Sequence, residues 1–326
     1  MATVAFHTLG CKVNSYESEA MLEIFKKRGY DNIDFESPAD VYVINTCTVT
    51  NTGDSKSRQM IRKAHRTNPD AVICVVGCYS QVASEEITEI EGVSVVLGTQ
   101  HRASIVDFVE EYKMTHKQIV KIENVMKVSR FEDLSIHAFE NKTRAFLKIQ
   151  DGCNNFCTYC IIPYARGGVR SRPKEDVLRQ AQELVDRGFV EIVLTGIHTA
   201  GYGVDLDNYS FYDLLVDLTT KIKGLKRLRI SSIEMSQVSD EIIELIGRSP
   251  IIVDHLHIPI QSGTDSILRR MARHYNTAEF EKKYFELKEA LPGISITTDV
   301  IVGFPGETEE DFVDTYNWIK KLHFNQ

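Results

Sequence analysis

Short apolar runs alternate with amphipathic or polar segments along nearly the whole chain, and this alternation limits the possible folds more than any other feature. In the first part, apolar runs at 3–9, 41–46, 71–77 and 93–98 each precede a polar or amphipathic segment. Strands that alternate with helices in this way form a mostly parallel sheet covered by helices. Residues 1–125 are therefore predicted to be one α/β domain.

The first helix is predicted over residues 15–27. Asn14 stands in front of it with Glu17 three residues on, which is the pattern of a capping box, and Gly29 follows it as a stop signal. Two further helices of this domain are predicted over 53–67 and 103–112.

The same alternation continues in the second part of the chain. Five strand and helix units follow one another from RAFLKIQDG at 144–152 to a last predicted helix at 309–322. This succession fits most of a (βα) barrel and would also fit a doubly wound sheet. A mixed, charged connector at 126–138 separates the two parts, with the boundary near Ala138, and 139–326 is the second predicted domain.

One loop of the second part carries three closely spaced cysteines, Cys153, Cys157 and Cys160, in a CxxxCxxC pattern. Thiolates are the usual protein ligands of iron-sulfur clusters. Three thiolates leave one iron of a four-iron cubane without a protein ligand, and a small molecule can bind at such an open position. A structural zinc site would need a fourth ligand, but the nearest downstream histidine, His198, lies outside the usual spacing. The pattern therefore favours an iron-sulfur cluster over zinc.

Three other cysteines occupy matching positions in the first domain, since Cys11, Cys47 and Cys78 each follow a predicted strand. The carboxyl ends of parallel strands share one edge of the sheet, so these residues are predicted to converge there. A single free cysteine is more often a small buried apolar residue. Three in the same structural position favour a second metal site. Cys74 lies inside the strand AVICVVG and is predicted to be a core residue.

Composition and charge restrict the class of protein. The formal net charge is −8, with a pI near 5.7, so any RNA contact must be local and cannot arise from bulk charge. No apolar run approaches the roughly 18 residues of a membrane span, and the start MATVAFHTLGCK lacks a signal peptide's regions. We expect a cytoplasmic protein with no membrane association. Its seven cysteines then indicate metal or catalytic sites and not disulfides.

The sequence motifs around the clustered cysteines resemble those of a known enzyme family. CxxxCxxC with an aromatic residue, Tyr159, before the last cysteine resembles the signature of the radical S-adenosylmethionine (SAM) enzymes. The longer word QDGCNNFCTYCIIPYARGGVRSR at 150–172 resembles the methylthiotransferases of that superfamily, which replace a C–H bond with C–S–CH3. The resemblance implies that SAM chelates the open iron. An electron from the cluster then cleaves SAM to a 5'-deoxyadenosyl radical that abstracts hydrogen.

The first domain carries the same resemblance. GCKVNSYESE at 10–19, INTCTVT at 44–50 and VVGC at 75–78 are similar to the three cysteine words of the methylthiotransferase N-terminal domain. The family then implies two [4Fe-4S] clusters, the second being an auxiliary one that carries or donates sulfur, and a second domain that is a partial (βα)6 barrel, truncated near its last strand. The catalytic and metal-binding residues so implied are Cys11, Cys47, Cys78, Cys153, Cys157 and Cys160.

Residues at the ends of the later strands are the candidates for SAM contacts. Several resemble SAM-side motifs of the superfamily, although polar strand ends and glycine turns explain them as well. His255 and His257 are predicted to be internal residues and not ligands. The candidate cofactor-binding residues are Tyr159, Thr195, Gly196, Ser231, Ser232, Glu234, Gln261 and Val302.

Four further residues are candidates for substrate or cofactor contacts. Arg166, Arg170 and Arg172 follow the cysteine loop and are either a solvated face or contacts to SAM carboxylate or RNA phosphate. Tyr16, Arg166 and Arg170 are the proposed substrate contacts.

The choice of substrate rests on the resemblance alone. GCKVN, TGIHTAGYG, RISSIE and HLHIPIQSG resemble the branch that acts on N6-threonylcarbamoyladenosine at position 37 of tRNA. The isopentenyladenosine branch tends to carry GCQMN at the first place, and the ribosomal-protein branch carries GCPKN. The implied partners are the tRNA anticodon loop, an external electron donor such as flavodoxin or ferredoxin, and a sulfur donor. The other class considered is a redox module, but an electron carrier normally supplies four ligands to each cluster.

The last expectation concerns the end of the chain. Members of the resembling family carry a C-terminal TRAM domain that helps to hold tRNA, and no such domain follows residue 326. The chain is therefore expected to cleave SAM yet to bind tRNA poorly.

Overall fold

The computed structural model describes residues 2–134, 136 and 143–326. Ala138, the predicted domain boundary, lies outside the described residues, and the predicted limits of the two domains and the linker stay predictions. Contacts divide the chain into two compact units. The first unit is Met1–Lys142, Asp151–Cys153 and Ile161–Arg170, and the second is Thr143–Gln150, Asn154–Cys160 and Ser171–Gln326.

The first unit contains a six-stranded parallel sheet. Its strands are β1 (Thr3–Thr8), β2 (Asp31–Asn32), β3 (Val41–Thr46), β4 (Val72–Gly77), β5 (Val93–Leu97) and β6 (Ile119–Lys121). Their order across the sheet is β2-β1-β3-β4-β5-β6, and every pairing is parallel. The predicted parallel α/β sheet is thus confirmed. β2 was not predicted, because two exposed polar residues carry no apolar pattern.

Helices cover the sheet of the first unit. They are α1 (Lys12–Lys27), α2 (Asn51–Thr67), α3 (Cys78–Val82), α4 (Ser84–Thr88), α5 (Ile105–Thr115) and α6 (Ile162–Arg166). Alternate residues of β3 belong to different apolar clusters, Val41 and Val43 to one and Tyr42 and Ile44 to the other. Because neighbouring strand residues point to opposite faces, the sheet has an apolar core on each side. Cys74 is fully buried in one of these clusters, which confirms its predicted core position.

The predicted start of α1 is wrong. The helix begins at Lys12 with Cys11 at its N-cap, so Asn14 lies within the first turn. The Asn14 side-chain amide donates hydrogen bonds to the carbonyls of Leu9 (2.8 Å) and Thr46 (2.9 Å) instead of capping the helix. Asn14, which has the sequence position of a capping residue, instead binds backbone carbonyls at the ends of two strands.

The second unit repeats strand and helix five times. Its strands are β7 (Ala145–Lys148), β10 (Glu191–Thr195), β11 (Arg227–Ile230), β12 (His255–His257) and β13 (Ser295–Thr297), with the two-residue strands β8 (Gln150–Asp151) and β9 (Arg170–Ser171) where the chain passes between units. Its helices are α7 (Lys174–Asp186), α8 (Phe211–Lys221), α9 (Asp240–Arg248), α10 (Asp265–Arg270), α11 (Thr277–Ala290) and α12 (Glu309–Leu322).

The spatial order of these strands distinguishes the two folds left open by the sequence. β7, β10 and β11 form one parallel sheet, and β12 and β13 form a parallel pair. Parallel bridges from Leu228 to Ile252 and from Ser232 to His257 join β11 to the β12 segment. The strands therefore have the same order in space as in the chain, which is the order found in a barrel. In a doubly wound sheet, the spatial order of the strands would reverse part of the way through the chain. This order confirms the predicted partial barrel.

Local signals define the helices of this unit. Ser210, Asn276 and Thr308 are the N-caps of α8, α11 and α12, and each forms a capping box with the acidic residue three positions on. Such caps satisfy amide groups that would otherwise lack a partner in the first turn. Among the helices formed by the described residues, none is long and apolar enough to cross a membrane.

Candidate metal centres

The first set of cysteines lies at the carboxyl ends of β1, β3 and β4, which are neighbours in the sheet. Cys47 directly follows β3, Cys78 directly follows β4, and Cys11 stands three residues beyond the end of β1. Cys78 is buried, Cys47 is half-buried and Cys11 is exposed. The structure thus brings these three residues to one edge, as predicted from their positions after strands.

Two glycines allow the backbone to approach closely around this set. Gly10 has φ +103°, and a Cβ there would lie 3.1 Å from the Cys47 Sγ. Gly77 has φ +105°, and a Cβ there would lie 2.6 Å from the Thr46 carbonyl oxygen. Any other residue would be strained at both positions. A side chain at position 10 would also press against Cys47.

A buried guanidinium joins the cysteine set to α1. Arg166 is fully buried, and its Nε donates a hydrogen bond to the Cys78 Sγ over 3.2 Å. Its Nη2 donates to Asn14 Oδ1 (3.0 Å), and Asn14 Oδ1 also accepts a contact from the Cys11 Sγ at 3.6 Å. Because the Asn14 amide donates to the carbonyl just before Cys47, one network touches all three cysteines.

Buried carboxylates balance the charge of Arg166. Its Nη1 lies 2.5 Å from Glu17 Oε1 and 3.3 Å from Asp151 Oδ2. Glu17, also fully buried, pairs in addition with Arg102 at 2.6 Å, and Arg102 pairs with Glu132 at 2.7 Å. Charges withdrawn from water are tolerated only when paired in this way.

The environment of the thiols suits metal-bound thiolates. Burial raises the pKa of Cys47 and Cys78, while Arg166 acts in the opposite direction on both thiols. A cation that donates a hydrogen bond to a buried sulfur favours the thiolate, the form that binds iron. Among the residues that the structure describes, no group of His, Cys, Asp or Glu side chains is arranged as a metal-ion site. The fit to a cluster rests on the donor set: three thiols at one edge, with a cation at one of them.

The CxxxCxxC cysteines are divided between the units. Cys153 belongs to the first unit, where its amide donates to the Gly167 carbonyl over 3.0 Å. Cys157 and Cys160 belong to the second unit, and the Cys160 amide donates to the Cys157 carbonyl over 2.9 Å. Thr158 is tethered through its amide and hydroxyl to the carbonyls of Met271 and Arg270. The cysteine loop is thus held by backbone hydrogen bonds within each unit.

A second arginine, whose side chain is 5% exposed, reaches a cysteine of this loop. Arg273 Nη1 donates to the Cys157 Sγ over 3.4 Å and pairs with Glu234 at 3.0 Å. Glu234 also accepts a hydrogen bond from the Asn155 amide (2.9 Å). Arg273 lies between two helices and follows no strand, so no sequence pattern indicated its role. Glu234 is predicted from the sequence to contact SAM, and its described contacts are with the cysteine loop and Arg273.

Several other candidates for SAM contacts lie at the carboxyl ends of the second unit's parallel strands. Thr195 ends β10, Ser231 and Ser232 follow β11, and Gln261 lies beyond β12 in a left-handed conformation with φ +64°. Among the described side chains, the Ser231 Oγ is buried without a hydrogen-bond partner.

Such an atom is normally satisfied by a partner or ligand, so Ser231 fits a polar cofactor. At Gly196, a Cβ would lie 2.9 Å from Gln150 Oε1, so close packing also favours glycine at this position. Val302 is exposed, and Tyr159 retains a 38% exposed surface.

The solvated-face alternative for the three arginines is wrong, since Arg166, Arg170 and Arg172 are all buried. Arg170 donates to the Gly168 carbonyl (2.8 Å), and Arg172 donates to Gln180. Tyr16 is buried too, and its hydroxyl donates to the Leu134 carbonyl (2.5 Å). Arg166 and Tyr16, proposed from the sequence as substrate contacts, are instead engaged inside the first unit.

Comparisons with known proteins agree with this architecture. The model of the radical SAM superfamily matches residues 147–319, and the model of the uncharacterized protein family UPF0004 matches residues 3–98. Among solved structures, the radical S-adenosylmethionine methyltransferase TsrM from Kitasatospora setae covers 99% of this chain, and the match spans 71% of that protein. The TM-score is 0.70 at 14% identity, which is a likeness of fold.

Relatives define the family more closely. The threonylcarbamoyladenosine tRNA methylthiotransferase MtaB of Bacillus subtilis is 59% identical over the whole chain, which spans 72% of that protein. A tRNA-2-methylthio-N(6)-dimethylallyladenosine synthase of Finegoldia magna is 35% identical over 99% of the chain, which spans 71% of it. The chain belongs to the radical SAM superfamily and, within it, to the methylthiotransferase family. It is therefore an enzyme of a family that uses SAM and two [4Fe-4S] clusters.

Proposed function

We propose that the protein converts N6-threonylcarbamoyladenosine at position 37 of tRNA to its 2-methylthio derivative. The observation that carries this proposal is the 59% identity to a relative named for threonylcarbamoyladenosine, against 35% to one named for dimethylallyladenosine. The two sets of three cysteines supply the chemistry that such a reaction needs.

The residues have separate tasks in this proposal. Cys11, Cys47 and Cys78 would hold one cluster, and the three cysteines of the CxxxCxxC loop would hold the other and leave room for SAM beside it. When bound, the clusters and SAM supply the sulfur, the methyl group and the one-electron chemistry for cleaving a C–H bond. The protein itself binds, orients and shields these groups.

The carboxyl ends of the second unit's strands provide the SAM-binding surface in this proposal. Thr195, Ser231, Ser232 and Gln261 follow successive strands there, and the unpartnered Ser231 Oγ supports a polar ligand at this edge. Ligands of barrel proteins bind at this end. Tyr159, Gly196, Glu234 and Val302 complete the proposed set.

The proposed setting is the cytoplasm, where tRNA is modified. The partners are tRNA, an external electron donor such as flavodoxin or ferredoxin, and a sulfur donor. An enzyme that reaches a carbon of a base must approach it from an unstacked loop, which the anticodon loop provides.

Nucleoside mass spectrometry of tRNA from cells lacking the gene tests the proposal. We expect loss of the 2-methylthio-threonylcarbamoyl nucleoside, its return with the intact gene, and no return with a gene that carries Cys78→Ala. Loss of only the 2-methylthio-isopentenyl nucleoside would refute the choice of substrate, and unchanged nucleosides with an altered ribosomal protein would refute tRNA as the substrate.

A further inference from the structure

The cysteine set of the first unit is organised around one arginine that does not itself bind metal. Arg166 has five N–H groups, and all of them point at acceptors of this set or of its surroundings. Nε donates to the Cys78 Sγ, Nη1 to Glu17 and Asp151, and Nη2 to Asn14 and Glu17. The planar guanidinium can contact a sulfur and two carboxylates at once, whereas an ammonium group lacks that fork geometry.

The contacts of Arg166 extend to every cysteine of the set. Cys78 is contacted directly at 3.2 Å, and Cys11 is contacted through Asn14. Cys47 is reached through the Asn14 amide, which donates to the carbonyl of the preceding residue, Thr46. A single side chain is thus linked, directly at Cys78 and through Asn14 at Cys11 and Cys47, to three residues that are far apart in the sequence.

The neighbouring Arg102 shows which part of this arrangement is specific. Arg102 is equally buried and pairs with the same carboxylate, Glu17, at 2.6 Å. Its other described partners are Glu132 and the Thr99 carbonyl, and none of its described hydrogen bonds reaches a cysteine. Both arginines therefore form buried ion pairs with Glu17. Of the two, only Arg166 has a described hydrogen bond to a thiol.

We propose that Arg166 is a positioning residue of the auxiliary site, which orients the Cys78 sulfur through its hydrogen bond and tunes the reduction potential of a cluster bound there. This inference rests on the proposed assignment of Cys11, Cys47 and Cys78 as cluster ligands. A hydrogen bond from a cation to a ligand sulfur stabilises the reduced, more negative form of a cluster. Its loss therefore makes the reduction potential more negative.

The experiment isolates the auxiliary site in the full chain by replacing Cys153, Cys157 and Cys160 with Ala. In this background, Arg166→Lys and Arg102→Lys are compared after anaerobic reconstitution. Both substitutions keep a buried positive charge beside Glu17. Only Arg166→Lys removes the planar guanidinium that donates to Cys78. The measurements are iron per chain, the reduction potential, and the electron paramagnetic resonance spectrum of the reduced protein, with circular dichroism to check folding.

We expect Arg166→Lys to shift the potential to a more negative value and to change the spectrum, while Arg102→Lys leaves both close to the parent. Selective loss of iron in Arg166→Lys, with Arg102→Lys retaining it, would also support the positioning role. Equal potentials in the two variants and the parent, or equal loss of iron or fold in both variants, would overturn the inference.

A further variant separates this inference from the ligand assignment. Cys78→Ala in the same background should lose the iron altogether. If Cys78→Ala kept its iron, the ligand assignment itself would be wrong, whatever the arginine variants show.

Discussion

The Nη1 of Arg273 donates a hydrogen bond to the Sγ of Cys157 over 3.4 Å, and the same side chain pairs with Glu234 at 3.0 Å. Each of the two cysteine sets thus includes one thiol that accepts a hydrogen bond from an arginine, Cys157 in the CxxxCxxC set and Cys78 in the other. A cation at the sulfur favours the thiolate form, which is the form that ligates iron.

Removing Arg273 should weaken iron binding by the CxxxCxxC set. In a protein whose Cys11, Cys47 and Cys78 are replaced with Ala, Arg273→Gln is expected to lower the iron retained per chain, because Cys157 loses its cation and Glu234 loses its partner. Arg269→Gln is the matched control, since Arg269 is exposed on α10. Equal iron in the two variants would contradict a role for Arg273.

Substitution of the buried carboxylate of Glu17 should lower the stability of the first unit strongly. Glu17 is fully buried between Arg102 and Arg166, so Glu17→Gln leaves buried cations short of a partner. We expect the free energy of unfolding to fall by about 3–5 kcal/mol. On the same helix, Glu23→Gln weakens a 3.5 Å pair with Lys27, whose side chain is 62% exposed, and should cost about 0.5 kcal/mol or less.

Denaturant titration of the cluster-free protein measures both changes. Similar losses for Glu17→Gln and Glu23→Gln would show that the buried network contributes little to folding.

Cys74 and Cys78 lie four residues apart but should respond differently to truncation. Cys74 is in the apolar core, so Cys74→Ala should lower stability by about 1 kcal/mol and leave the iron content unchanged. Cys78→Ala should remove the auxiliary cluster. Iron analysis of the two purified variants decides the matter, and the reverse pattern of losses would mean that the ligand on this strand is misassigned.

Stability should also depend on the protonation of His7. Burial lowers the pKa of His7 below 6.5, and Lys63 adds to this effect. Below pH 6.5 the unfolded chain therefore binds a proton that the folded chain does not, so the contribution of neutral His7 is present above that pH and is lost as the pH falls toward the lowered folded-state value.

Urea unfolding of the cluster-free protein between about pH 7.5 and 5.5 tests this dependence. We expect the parent to lose stability on acidification more steeply than His7→Gln does. An unchanged slope in His7→Gln would contradict the assignment.

Much of the fold could be predicted because its strands are continuous apolar runs. β3 at Val41–Thr46 and α12 at Glu309–Leu322 have the bounds that the sequence indicated. The meeting of Cys11, Cys47 and Cys78 followed from their places after parallel strands. These features depend on local pattern and on one rule of sheet geometry.

The remainder of the site could not be predicted, because it depends on contacts between distant parts of the chain. Asn14 and Glu17 have the spacing of a capping box, yet their partner Arg166 lies about 150 residues away. For the same reason, the sequence predicts Arg166 to be either exposed to solvent or in contact with the substrate. No local pattern distinguishes an arginine that faces water from one that pairs with buried carboxylates.

In the proposed enzyme, two sets of three cysteines each hold their own cluster, and SAM is cleaved only at the CxxxCxxC set. The most direct measurement is iron content together with 5'-deoxyadenosine formation in the anaerobically reconstituted chain and in the two triple Ala variants. We expect about eight irons per parent chain and about four in each variant, with 5'-deoxyadenosine lost only when Cys153, Cys157 and Cys160 are replaced. Formation of 5'-deoxyadenosine by that variant, or undiminished iron in either variant, would contradict the account.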